Sequence, residues 1–160
     1  MSRSVVFVAI AILLPMGHFF LQVGLGIGRW APDLLAIALL LLAREARAGL
    51  AAGIGFFLGL LEDAFSILSF GANTVTLTLL GVLGARSRDL FVGESVPFFV
   101  VYLAIGTWLR HAIHWVIAGE GVRGSAADVL LVEAPVASLY AAAVGVLLLM
   151  VTGVIREGGG

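Results

Sequence analysis

The sequence predicts an all-α polytopic membrane protein with about six transmembrane helices. Of its 160 residues, 61% are hydrophobic and only 12% are charged, against roughly 45–50% apolar and 25% charged in a soluble domain. The mean hydropathy is +1.15, and apolar runs separated by short turns recur along the chain. We therefore expect residues 1–157 to form a single transmembrane domain, followed by a glycine tail at 158–160.

The first expected span follows Arg3 and runs from Val5 to Ile27. It exceeds the roughly 20 residues that a helix needs to cross a bilayer. A signal peptide has a shorter apolar region, of roughly 7–15 residues, and ends in a small-x-small cleavage site. We therefore expect this segment to be retained as a span.

The last two expected spans are also long enough to cross unaided. They run from Ser95 to Ala118 and from Glu133 or Ala134 to Ile155.

The central third holds shorter apolar blocks, each roughly 18–21 Å long as a helix, at Ala31–Ala43, Ala48–Leu61 and Thr74–Ala85. If the second block continues to Phe70, it becomes long enough to span. The turn at Gly71 would then start a fourth helix, with Asn73 or Thr74 as its N-cap. Six spans are predicted, with five as the alternative.

The arginines support the six-span count, because arginines collect in short cytoplasmic loops. With both termini in the cytoplasm, most of the basic residues fall on that side, namely Arg3, Arg44, Arg47, Arg86, Arg88 and Arg156. Arg29 and Arg123 then lie outside, and Arg110 lies within a span.

Gly55 and Gly59 share one face of the third span with Asp63, at spacings of four residues. Small residues at this spacing let helices approach closely in lipid. This predicts packing within the chain, or else a docking face for another helix. For Asp63 two interpretations stay open: a functional carboxylate inside the membrane, or a capping or hydrated one near the outer interface. Glu62 is expected to be solvated.

Arg110 and His114 lie four residues apart on the fifth span. Arg110 has Asp63 or Glu133 as a conceivable partner, or these side chains lie near the outer interface, with Trp108 and Trp115 as belt aromatics. Two histidines on one helix are too few ligands for a metal site.

The sequence does not predict an enzyme, a cofactor or a metal. No cysteine is present, and no catalytic triad or phosphate-binding glycine loop appears. Every basic residue is arginine and the net charge is −1, so nucleic acid is not an expected partner.

One stretch, Ala31 to Leu90, resembles a known family. It begins Ala-Pro-Asp-Leu-Leu at Ala31, continues through Gly-x-Gly-Phe-Phe-Leu-Gly-Leu-Leu-Glu-Asp at Gly53, and then has Phe-Gly-Ala-Asn at Phe70. A final helix closes in Gly-Ala-Arg-Ser-Arg at Gly84. This order and spacing resemble the rod shape-determining protein MreD family.

The resemblance implies a six-helix protein of the bacterial inner membrane, similar in fold to the substrate-binding subunits of energy-coupling factor transporters. It implies a non-enzymatic scaffold of the elongation machinery that binds the single-span protein MreC. Through MreC it would reach the RodA glycosyltransferase, its partner transpeptidase and MreB filaments. Asp33 and Asp63 are then expected to order helix ends.

The alternative is a vitamin-binding transporter subunit of the same fold. Its pocket would lie near the outer face, lined by Arg110, His111, His114, Trp115 and Glu62. A ligand site of this kind is concave, with a few convergent polar groups.

Overall fold

The computed structural model describes residues 3–24, 32–66, 70–88, 95–119 and 124–153, and within these ranges the chain is helical, without strands. The α-helices are α1 (Arg3–Phe19), α2 (Leu34–Glu45), α3 (Ala48–Asp63), α4 (Ala72–Ser87), α5 (Val96–Ile117) and α6 (Ala134–Val151). Short π-helical segments extend α1 over Phe20–Gly24 and precede α6 over Asp128–Glu133.

Successive helices from α2 to α6 run in alternating directions. Arg88, just after α4, donates from Nη1 to the carbonyl of Arg44 near the end of α2, at 3.5 Å. The Arg44 guanidinium lies 4.7 Å from the ring centroid of Phe98, in the first turn of α5. Trp108, in the second half of α5, donates to the Leu130 carbonyl just before α6, at 3.1 Å.

This alternation gives the bundle two chemically distinct ends. We call one the arginine end, defined by Arg44, Arg47, Arg86 and Arg88. We call the other the carboxylate end, defined by Asp33, Glu62 and Asp63.

The shortest α-helix, α2, lies at the centre of the bundle. All ten residues from Leu34 to Ala43 are buried, and α2 contacts each of the other five α-helices. A helix that is apolar on every side is expected to be buried in this way. Tyr102 donates its hydroxyl to the Leu40 carbonyl at 2.9 Å, which ties α5 to the middle of α2.

Helices α3 and α4 form the closest pair, because glycines lie where they touch. A Cβ added at Gly55 would overlap the carbonyl of Leu77, and one added at Gly59 would overlap the backbone of Thr74. From the other side, a Cβ at Gly81 would overlap the carbonyl of Ala51. Gly55 and Gly59 therefore pack within the chain.

Two helices among the described residues are long and apolar enough to cross a membrane. One is α5, with 22 residues, and the other runs from Asp128 to Val151, with 24 residues. The first expected span is represented by α1, which has 17 residues, and by the π-helical segment after it. The end of that expected span, at Ile27, lies outside the described residues.

The third helix ends earlier than predicted. It stops at Asp63 rather than continuing to Phe70, because the Asp63 carboxylate turns toward the backbone N–H groups at the start of α4. The predicted N-cap of α4 was also wrong. The cap position is Gly71, with φ 92°, a left-handed conformation that glycine adopts without steric cost.

Candidate functional site

The carboxylate end contains a buried ion cluster formed by Arg110, Asp33 and Glu62. Arg110 lies on α5 and is 8% exposed. Its Nη1 forms an ion pair with Asp33, and its Nη2 donates to both carboxylate oxygens of Glu62 at 2.6 Å. One guanidinium therefore joins α5 to the start of α2 and to the end of α3.

Local sequence explains how each partner reaches the cluster. Asp33 is the N-cap of α2, and its Oδ1 accepts from the Ala36 amide at 3.0 Å, which leaves Oδ2 toward Arg110. Glu62 lies in the last turn of α3. The planar guanidinium presents several donors in a fixed geometry, which suits it to bind two carboxylates at once.

A second buried carboxylate, Asp63, joins α3 to α4. It is 1% exposed and accepts from the Asn73 amide at 3.1 Å, the Thr74 amide at 2.9 Å and the Thr74 hydroxyl at 2.6 Å. The first amides of a helix lack partners within it, and a negative charge at this terminus is favourable. Asp63 therefore caps α4 from the preceding helix.

Histidines lie close to the ion cluster. His18 on α1 is fully buried and lies within electrostatic range of Arg110. Its ring lies beside the Pro32 backbone, yet neither ring nitrogen reaches hydrogen-bonding geometry with a described residue. His114 follows Arg110 by one turn, and its buried Nδ1 also lacks such a partner. The described part of the chain contains no group of three or more His, Asp and Glu placed to hold a metal ion.

The structure corrects two predictions about this region. Arg110 pairs with Asp33 and Glu62, not with Asp63 or Glu133. Glu62 is not solvated, because its side chain is only 15% exposed. A sequence signal for this pairing existed. An arginine inside an apolar helix needs carboxylates at the same level of the bundle, and Asp33 and Glu62 lie at helix ends near the level of Arg110.

Both tryptophans of α5 hold the segment that leads into α6. Trp108 donates to the Leu130 carbonyl at 3.1 Å, and Trp115 donates to the Gly124 carbonyl at 3.0 Å. Their indole N–H groups thus have backbone partners.

The cluster is chemically suited to joining helices. Its guanidinium and carboxylates already bind one another, and the Asp63 carboxylate already binds backbone and hydroxyl donors. A pocket of the vitamin-binding type would need Arg110 and Glu62 to face a ligand, whereas here they face each other.

Comparisons with family models, with curated proteins and with solved structures find no match. The function is therefore inferred from the residues and their geometry.

Proposed function

We propose that this protein is a non-enzymatic scaffold of the MreD type in the bacterial inner membrane, where it holds MreC within the cell-elongation machinery. The observation that carries the proposal is the structural role of the residues in the motifs that resemble the MreD family. Asp33 caps α2 and binds Arg110, Asp63 caps α4, and Gly55 and Gly59 seat α3 on α4. These side chains and glycines hold helices together, as a scaffold requires.

The proposal includes six membrane crossings, with both termini in the cytoplasm. Alternating helix directions place Arg44, Arg47, Arg86 and Arg88 together at one end. Arginines collect on the cytoplasmic side of membrane proteins, so the arginine end is assigned to the cytoplasm. The carboxylate end then faces outward.

The short central helices fit this topology. Helix α2 has 12 residues, or about 18 Å, less than the roughly 30 Å of a bilayer core. Its residues from Leu34 to Ala43 are buried on every side, so along this length α2 contacts protein rather than lipid, and non-helical backbone at membrane depth is tolerated where protein surrounds it. Helices α3 and α4 have 16 residues each, and modest bilayer thinning accommodates such lengths.

The lateral surface of the bundle, between its two ends, is apolar. Large hydrophobic side chains are exposed along α3, α5 and α6, among them Phe57 at 67%, Ile105 at 53% and Leu147 at 60%. Such a surface suits contact with lipid and with the single helix of a partner. MreC then connects the scaffold to RodA, to the elongation transpeptidase and to MreB.

Co-purification from a mild detergent tests the proposal. Tagged protein should retain MreC, and it should not retain an unrelated single-span protein expressed at the same level. Deleting its gene should convert rod-shaped cells to rounded ones. Failure to retain MreC, together with unchanged cell shape, would overturn the proposal. A tightly bound vitamin in the purified protein would instead favour a transporter subunit.

A further inference from the structure

A carboxylate interrupts the apolar lateral surface of the bundle. Glu133 ends the π-helical segment that precedes α6, and it is exposed. It lies within the candidate membrane span that runs from Asp128 to Val151. The ion pairs that join described residues are those of Arg110. Within the described part of the chain, Glu133 therefore has no cationic partner.

Contacts with α5 show how deep Glu133 lies. Helix α5 has 22 residues, or about 33 Å, close to the roughly 30 Å of a bilayer core. Trp108 lies nine residues before the end of α5 at Ile117, about 13 Å along the helix, and its indole donates to the Leu130 carbonyl at 3.1 Å. Glu133 follows Leu130 by three residues, toward α6. Allowing for the reach of the indole, Glu133 lies roughly 10 Å inside the outer boundary of the proposed membrane.

Exposed side chains continue from Glu133 along one face of α6. They lie at alternating spacings of three and four residues, which is the spacing of a seam between two packed helices. We call this face the α6 seam, and it is lined by Glu133, Val136, Tyr140, Ala143 and Leu147. Val136 is 66% exposed and Tyr140 is 49% exposed. Ala143, near the middle of α6, leaves room for another backbone to approach closely.

We propose that the α6 seam binds a transmembrane helix of a partner protein that carries an arginine or a lysine at the level of Glu133. The inference rests on the membrane embedding proposed above, and it adds an interaction surface to the scaffold. Acidic side chains within membrane spans are rare, and they pair with other groups rather than face lipid. A cation on the adjoining helix satisfies the Glu133 carboxylate. Tyr140, two turns further along α6, presents its hydroxyl to the same helix.

Charge favours a partner helix over the other possible occupants. Acyl chains cover the apolar positions of the seam, but they offer the carboxylate neither a cation nor a hydrogen-bond donor. A second copy of this chain, related by a twofold axis along the membrane normal, would bring the seam against itself. Glu133 would then lie near Glu133 of the second copy, and like charges repel strongly where the dielectric constant is low. A helix with one basic residue matches both the carboxylate and the apolar positions.

Host helices made of leucine and alanine test the charge requirement. Each host crosses the membrane once and carries, about seven residues from its outer end, a single lysine or, in the matched control, a single glutamine. Energy transfer between the labelled host and the labelled protein is measured in vesicles of phosphatidylcholine and phosphatidylglycerol. Wild type should bind the lysine host about fivefold more tightly than the glutamine host. Equal binding of the two hosts would overturn the inference.

Variants of the protein locate the contact. Glu133→Gln should remove the preference for lysine, whereas Asp128→Gln, at another exposed carboxylate of the same span, should keep it. Ala143→Trp places an indole in the seam and should weaken the binding of both hosts. Leu79→Trp, at an exposed position of α4, should not. All four positions are on the surface or half-covered, so the bundle is expected to fold in each variant, and melting temperatures check this. A lysine preference that survives Glu133→Gln, or equal binding by the two tryptophan variants, would overturn the inference.

Further results separate this inference from a dimer and from the scaffold proposal. If energy transfer between two labelled copies of the protein is abolished by Ala143→Trp, the seam binds a second copy, and the inference is overturned. If wild type retains MreC but shows no preference for lysine, this inference alone fails. A preference for lysine together with loss of MreC supports the α6 seam and contradicts the scaffold proposal.

Discussion

The Asp63 carboxylate, at the end of α3, accepts hydrogen bonds from both the amide and the hydroxyl of Thr74, in the first turn of α4, at 2.9 and 2.6 Å. One side chain thus fixes where one helix ends and where the next begins. Gly59 lies one turn before Asp63 and brings the backbone of α3 against Thr74. The close approach of the two helices and the cap therefore depend on each other.

Replacing Asp63 should destabilise the bundle. Asp63→Ala leaves buried amides of α4 without an acceptor, and losses of this kind lower the free energy of unfolding by about 2 kcal/mol. Asp63→Asn, which keeps one carbonyl oxygen, should lose less. Denaturant titration in detergent micelles measures both. Asp128→Ala, at an exposed carboxylate, is the control and should stay within about 0.5 kcal/mol of wild type; equal losses at the two positions would refute the cap.

Two glycines of α3, one packed against α4 and one with open space beside it, should respond differently to a single added methyl group. Gly59→Ala forces a Cβ against the Thr74 backbone and should cost about 1–3 kcal/mol. An added Cβ at Gly53 meets no atom within 4 Å, so Gly53→Ala should be neutral or stabilising, by up to about 1 kcal/mol. Thermal unfolding of the two variants side by side checks this. A neutral Gly59→Ala would contradict the close packing of α3 on α4.

Replacing Arg110 alone should lower the free energy of unfolding more than replacing Arg110 together with Glu62. Arg110→Met leaves Asp33 and Glu62 buried without their cation, at about 3–5 kcal/mol. Adding Glu62→Gln should restore part of that loss, as coupling energies of about 0.5–3 kcal/mol between contacting residues imply. Double-mutant cycles by denaturant titration measure the coupling, and Arg47→Met at the exposed arginine end is the control. Strict additivity would show that Arg110 and Glu62 do not interact.

Helix positions followed well from the sequence where an apolar run had clear ends. The fifth span was predicted from Ser95 to Ala118, and α5 runs from Val96 to Ile117. The last span was predicted to begin at Glu133 or Ala134, and α6 begins at Ala134, although the π-helical segment from Asp128 extends that span to 24 residues. In both cases a proline in the first turn, Pro97 or Pro135, marks the beginning of the α-helix, because proline lacks the N–H that such a position leaves unpaired.

The site was harder to predict because it depends on contacts between helices. Nothing near Glu62 in the sequence shows that α5 passes beside it, and Glu62 was expected to be solvated because it lies off the face that Asp63 shares with the glycines. The end of α3 was missed for the same reason: the acceptor is Asp63, but its donors lie beyond the turn, at Asn73 and Thr74. Hydrophobic periodicity predicts where the helices lie. Side-chain pairings between helices can be identified only once the fold is known.

The proposed topology is tested most directly by labelling single cysteines in cells with a membrane-impermeant maleimide. The natural chain has no cysteine, so each introduced thiol is the sole target. Glu45→Cys and Arg86→Cys, at the arginine end, should react only after the membrane is permeabilised. Phe70→Cys and Ser125→Cys, exposed positions toward the carboxylate end, should react in intact spheroplasts. Labelling of Glu45→Cys and Arg86→Cys from opposite sides of the membrane would contradict the six-span scaffold.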